Sequence, residues 1–227
     1  NPIAIIAGAR PNFMKVAPVR AALAQYAGIS QLLLHTGQHY DVNMSDVFFQ
    51  QLGMPAPDIN LEVGSGTHAV QTAQVMMRFE EAVLVEKPDL VLVYGDVNST
   101  IAAALVCAKL GITVGHVEAG LRSFDLTMPE EINRMLTDRI ADLLFTPSAD
   151  GDENLCHEGI AAEKIHLVGN VMIDTLVRML PKSAAQWDNL AATLNIADDH
   201  YLLVTLHRPS NVDEPAMLAQ IMAALDE

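Results

Sequence analysis

Short apolar runs alternate along the chain with longer stretches in which apolar positions recur every three or four residues. The runs at 3–7, 31–35, 89–94, 112–117, 142–146, 165–168 and 201–206 are rich in Val, Ile and Leu and bounded by turn residues, so they read as strands. Helical spacing predicts helices over 13–27, 42–52, 67–86, 99–110, 129–141, 148–158, 171–180 and 215–226. Such alternation predicts βαβ units, a parallel sheet and an α/β fold. The rhythm pauses over "PKSAAQWDNLAATLNIADDH" and restarts at "YLLVTLH". We therefore divide the chain into an N-terminal domain at 1–172 and the start of a C-terminal domain at 173–227. One strand and one helix cannot bury their own apolar faces, so the second domain is expected to be truncated in this chain.

Composition narrows the setting. With 51% hydrophobic and 18% charged residues, the chain can bury a sizeable core and is not a disordered tail. A formal charge of −15 and a pI near 4.7 exclude a basic footprint for nucleic acid, so any phosphate has to be held by a few placed cations. Cys107 and Cys156 form no CxxC pair, which indicates neither a disulfide framework nor a zinc site and fits a reducing cytoplasm. "IAIIAGA" is too short to span a membrane and reads as a buried strand.

In open parallel sheets, ligands sit beyond the carboxyl ends of the strands, so the residues that follow each strand are the candidates for chemistry. "AGARPNFMK" couples a glycine turn to a helix start carrying Arg10 and Lys15, which suits either an anionic phosphate or a turn with two surface cations. "TGQHYD" places His39 after the next strand. "VYGDVNST" puts Asp96 at a strand end before a helix that Asn98 or Ser99 can cap; alone, it reads more readily as a turn aspartate.

The stretch "HVEAGLRSFDLTMPEEINR" concentrates four carboxylates. Thr127, Pro129 and Glu130 match a capping box, which gives Glu130 a structural task. Glu131 falls one position round the helix, on a face shared with Arg134 and Asp138, where an ion pair can hold it ionised or a pocket can use it. Glu118 directly follows a strand and precedes Ala119 and Gly120, small residues that permit close approach of a ligand; it either faces that ligand or is satisfied by Arg122 or His116. "TLHRPSN" sets His207 and Arg208 after the first strand of the second domain, suited to a diphosphate or to proton transfer. His35, His68, His157, His166 and His200 show no metal-ligand spacing and are assigned structural roles; no metal site is expected.

Seven motifs in order, "GARPNFMKVAP", "TGQHYDVNMSDVFF", "VLVYGDVNST", "GHVEAGLRSF", "MPEEINRMLTD", "LLFTPS" and "VGNVMID", closely resemble the non-hydrolysing UDP-N-acetylglucosamine 2-epimerases, over essentially the whole chain. The resemblance implies a GT-B-like pair of Rossmann-type domains with parallel sheets. It also implies reversible interconversion of UDP-GlcNAc and UDP-ManNAc for cell-surface polysaccharide precursors, with no cofactor. UDP is eliminated to give 2-acetamidoglucal, then added back with the C2 proton on the other face. By matching motifs, Asp96, Glu118 and Glu131 carry over as acid/base carboxylates, unassigned as to face. Arg10, Lys15 and His207 carry over as groups near the diphosphate. We count His207 with the catalytic set, and Arg10, Lys15, His39, Arg134 and Arg208 as substrate-binding.

The same resemblance implies a cytoplasmic homodimer acting on a UDP-sugar, without nucleic-acid or membrane partners. The family's uridine-binding loop lies beyond residue 227, so the chain alone is expected to bind UDP weakly and to be inactive. The alternatives are a 2-epimerase of a UDP-diacetamido-uronic acid, a branch that shares "TGQHYD" and "MPEEINR", then a GT-B glycosyltransferase or a silent nucleotide-sugar binding module.

Overall fold

The computed structural model describes residues 2–8, 10–37, 49–196, 201–206 and 209–226, with Arg10 and Pro209 described by backbone alone. The chain forms two compact units, Asn1–Met179 and Leu180–Glu227. In the first, β1 (Pro2–Ala7), β2 (Ser30–His35), β3 (Ile59–Asn60), β4 (Leu90–Tyr94), β5 (Thr113–Val117), β6 (Leu143–Thr146) and β7 (Ile165–Leu167) form one sheet. The strand order is β3-β2-β1-β4-β5-β6-β7, and every pairing is parallel. The order reverses between β1 and β4, the switch point at which such sheets open a crevice. The two-residue β3 is too short to leave an apolar pattern and owes its place to pairing with Leu34 and His35 of β2.

Helices cover both faces of the sheet: α1 (Arg10–Leu23), α2 at 49–52, α3 (His68–Glu86), α4 (Asn98–Leu110), α5 (Pro129–Ile140), α6 (Ala149–His157) and α7 (Val171–Leu194). Alternation along each strand separates two cores. Ile3, Ile5 and Ala7 of β1, with Leu92 and Tyr94 of β4, face Phe13, Val16 and Ala17 of α1. Ala4, Ile6, Val91 and Val93 face the other way, toward Val75, Phe79 and Val83 of α3 and Ala102–Ala104 of α4. Three consecutive fully buried alanines let α4 lie close to the sheet, which brings its N-terminus to the end of β4.

Pro18 lies inside α1 and has no N–H for the carbonyl of Met14, one turn earlier. That carbonyl accepts instead a 2.6 Å hydrogen bond from the hydroxyl of Thr175 on α7, a side chain with no exposure. Val171 and Met179 extend the same contact into the core.

The second unit contains the end of α7, α8 (Pro209–Val212) and α9 (Pro215–Asp226). Here two expectations fail. α7 continues to Leu194, past Pro181, because the flanking Ala, Leu, Lys and Gln are strong helix formers. Residues 201–206, expected as a strand, form none: Leu202 and Leu203 are 81% and 86% exposed, and among the described residues no strand pairs with them. Among the described residues no helix is long and apolar enough to cross a membrane.

Replacing Thr175 by Val keeps the shape and leaves the Met14 carbonyl unpartnered. The expected loss is about 1–3 kcal/mol, read from the urea midpoint, against less than about 0.5 kcal/mol for Thr193→Ala on the exposed part of the same helix.

Candidate active site

The register that pairs Tyr94 with Val117 makes β4 and β5 end side by side, so Asp96 and Glu118 emerge next to each other. α5 follows the loop after β5 and brings Glu131 and Arg134 to the same edge. The Arg134 guanidinium joins the elements: one amino group pairs with the Asp96 carboxylate, the other donates to Glu131 Oε2 at 3.0 Å. Asn133 adds a 2.9 Å bond from its amide to the Asp96 carbonyl. Beside Asp96 opens a cleft of about 360 Å³, lined in part by Gly66, His68, Gln71, Asn98 and Asn133.

Glu118 pairs with the ammonium of Lys15 on α1, in a contact where both side chains are mostly buried. The pair needs two special backbone features. Glu118 itself adopts φ +73°, a left-handed conformation that is strained for a non-glycine residue. The turn is retained because the N–H groups of Glu118 and Ala119 both donate to the Phe145 carbonyl, at 3.0 and 3.1 Å. Gly95, at φ +63°, leaves the necessary room, since a Cβ there would lie 2.8 Å from Lys15 Nζ and 3.2 Å from Glu118 Oε2.

Glu131 is 1% exposed. Burial opposes its ionisation. Hydrogen bonds from the Ser123 and Phe124 amides, at 2.9–3.1 Å, and the Arg134 charge outweigh that cost and hold its carboxyl below the ordinary value. It thus fastens the loop after β5 to the start of α5.

Beneath this layer lies a second, fully buried one. His116, in the middle of the sheet, contacts Asp138 Oδ1 through Nδ1 at 2.6 Å and the Gly95 carbonyl through Nε2 at 2.8 Å. Asp138 Oδ2 accepts from the Gly120 amide at 3.1 Å and from Arg122 at 2.8 Å. Arg122 also forks onto Glu158 at 2.6 and 2.7 Å. Burial again opposes the Asp138 charge, and His116 and Arg122 lower its pKa regardless. Gly120 is required at the turn, where a Cβ would come within 2.5 Å of the Gly151 carbonyl on α6.

Several expectations change. Thr127 and Glu130 do not form a capping box: Met128 occupies the cap position with no side-chain bond, the Thr127 hydroxyl donates to Asp125 at 2.6 Å, and Glu130 is exposed. Neither Arg122 nor His116 satisfies Glu118, because Asp138 takes both and Lys15 serves Glu118. Asn98 does not cap α4; its amide donates to Gln71 at 2.7 Å.

Of the candidate residues, Asp96, Glu118, Glu131, Lys15 and Arg134 are brought together. His39, His207, Arg208 and the Arg10 side chain lie outside the described residues. Sequence reasoning missed Asn12, which accepts from the Gly8 amide and donates to the Tyr94 carbonyl, both at 3.0 Å, binding the loop after β1 to the end of β4. It also missed His116 and Asp138 as a pair; the one available signal is a histidine set among apolar residues in a strand. Among the described residues no group of three His, Cys, Asp or Glu side chains is placed to hold a metal ion.

The family model described as UDP-N-acetylglucosamine 2-epimerase matches residues 21–227. A UDP-N-acetylglucosamine 2-epimerase homolog of Methanococcus maripaludis is 48% identical over 225 residues, 99% of this chain and 62% of its own. A UDP-2,3-diacetamido-2,3-dideoxy-D-glucuronate 2-epimerase of Pseudomonas aeruginosa is 46% identical over 227 residues, with the same shares covered. The crystal structure of Methanocaldococcus jannaschii UDP-GlcNAc 2-epimerase in complex with UDP-GlcNAc and UDP superposes with a TM-score of 0.88 at 46% identity, over 99% of this chain and 62% of that one. The chain thus spans about 62% of the length of these relatives, and its fold class is the expected α/β, GT-B-like one.

Since the folded pKa of Glu131 lies below its ordinary 4.5, its contribution to stability is present above that pH and is lost as pH falls through the folded value. Glu131→Gln is expected to cost about 1–2 kcal/mol at pH 7, by urea unfolding, with the difference from wild type shrinking below pH 4.5. A difference that grows on acidification overturns the assignment.

Proposed function

The chain belongs to the UDP-N-acetylglucosamine 2-epimerase family, and from that premise we propose that the complete protein interconverts UDP-GlcNAc and UDP-ManNAc by reversible inversion at C2. The observation that carries this is the set of three carboxylates, Asp96, Glu118 and Glu131, on one edge of the sheet with Lys15 and Arg134 paired among them.

The hydrogen on C2 has no carbonyl beside it, so its removal is difficult unless coupled to departure of a good leaving group. In the elimination a carboxylate takes the C2 proton and the C–H electron pair becomes the C1=C2 bond of 2-acetamidoglucal. The C1–O bond breaks, its electrons leaving with UDP. Re-addition reverses these steps with the proton delivered to the opposite face. Two faces call for more than one proton-transfer group, and a departing diphosphate calls for cations. Asp96 and Glu118, with side chains 32% and 18% exposed, are the accessible members of the acid/base set, and Glu131 completes it.

Lys15 is assigned to the diphosphate and Arg134 to the substrate. Arg10 and His207 beside the diphosphate, with His39 and Arg208 on the rest of the substrate, are supported by the motifs alone. We further propose a cytoplasmic homodimer that needs neither nicotinamide nor metal. The cysteine spacing, with no CxxC pair, supports a reducing compartment, and the homodimer and absence of cofactor rest on the family resemblance. A second reading, epimerisation of a UDP-diacetamido-uronic acid, is favoured by the Pseudomonas aeruginosa relative, whose 46% identity over 227 residues is as close as that of the Methanocaldococcus jannaschii enzyme.

Proton NMR of the complete protein with UDP-GlcNAc in heavy water tests this. Loss of the C2 proton signal with growth of a ManNAc anomeric resonance is expected. Exchange with the uronate alone selects the second reading, and no exchange with either sugar overturns both. Asp96→Asn and Glu118→Gln are each expected to slow exchange by about 10²-fold or more, with UDP affinity within about twofold.

A further inference from the structure

We infer that Asp138 and His116 are positioning residues for the reaction proposed above, a buried tether that holds the loops bearing Asp96 and Glu118 at a fixed separation. Neither side chain has any exposure, so neither can touch substrate. Their partners, however, are the backbone atoms that set where the acid/base carboxylates stand. His116 Nε2 meets the carbonyl of Gly95, the residue before Asp96. Asp138 Oδ2 meets the amide of Gly120, two residues after Glu118. One chain of bonds, Gly95 carbonyl to imidazole to carboxylate to Gly120 amide, therefore spans from the end of β4 to the end of β5 beneath the site.

The tether also acts on Glu131. Arg122 on Asp138 precedes Ser123 and Phe124, whose amides bind the Glu131 carboxylate. The spacing of all three acid/base carboxylates thus passes through Asp138. Both ring nitrogens of His116 face acceptors, a carboxylate and a carbonyl, and the inferred tether is the ring donating to both. A tether made this way is replaceable. With Asn at 138, the amide N–H donates to Nδ1, the neutral ring still donates to Gly95, and the amide oxygen still accepts from Gly120. With Ala it is cut. Displacement of an acid/base group by a fraction of an ångström is enough to lower the chemical step without changing how substrate binds.

The test compares Asp138→Ala, Asp138→Asn and His116→Phe in the complete protein, per folded molecule. Asp138→Ala and His116→Phe are expected to lower kcat by about 10²-fold with KM within about threefold, and Asp138→Asn to recover at least about tenfold of that loss. A purely structural role would lower the melting temperature and leave kcat of the folded fraction unchanged, and that result overturns the inference. So does Asn failing as completely as Ala. Nitrogen-15 NMR of the ring reads the tether without turnover: two protonated nitrogens in the wild type, one in Asp138→Asn. A wild type that exchanges no C2 proton sinks the proposed function, and the ring signature then decides the tether by itself, a singly protonated ring overturning it.

Discussion

The carboxylate of Asp138 is the point from which the working edge of this sheet is organised. A carboxylate removed from water is costly unless each oxygen finds donors. Here the donors come from the end of β5 and the turn directly after it: the His116 ring, the Gly120 amide and the Arg122 guanidinium. Satisfying the charge therefore draws β5, the turn after it and α5 together. The layer above inherits its spacing from that arrangement. Gly95 is fixed by the imidazole, and the Glu118 turn by its amides on Phe145 and by Gly120, which lies against Gly151 too closely for any side chain.

Charge pairing explains how a chain of net charge −15 carries a carboxylate-rich site. The cations are few, 13 lysines and arginines in all, yet Lys15, Arg122 and Arg134 are all spent on this edge. Arg122 is tied up by Asp138 and Glu158 and is structural. Arg134 contacts Asp96, which lines the cleft, and Lys15 pairs with Glu118 at the end of the neighbouring strand. The distinction is invisible in composition and follows only from which side of the sheet edge each reaches.

The fold was largely legible because strands buried on both faces leave continuous apolar runs that short connections punctuate. Six of the seven strands in the sheet correspond to such runs. β3 escaped because two residues carry no period, and 201–206 misled because an apolar run becomes a strand only beside a partner. The loops after β4 and β5 and the start of α5 were legible as chemistry because charge clustered where a parallel sheet opens. Their wiring was not. Local spacing gave Glu130 a cap and offered Glu118 to Arg122 or His116, whereas contacts between residues a hundred positions apart, such as Lys15 with Glu118, decided the pairing. The Glu131–Arg134 pair, three residues apart on one helix, was within the reach of spacing rules and is present.

The hydroxyl of Thr175 on the Met14 carbonyl bears on how α7 can move. Turning that helix by one residue rotates it about 100° and advances it 1.5 Å, which carries the hydroxyl off a carbonyl that Pro18 has left with no alternative N–H. The helix is keyed to α1 like a bolt in a slot: it can flex along its length, but it can neither slide nor spin in its seat without first exposing a bare acceptor in the core.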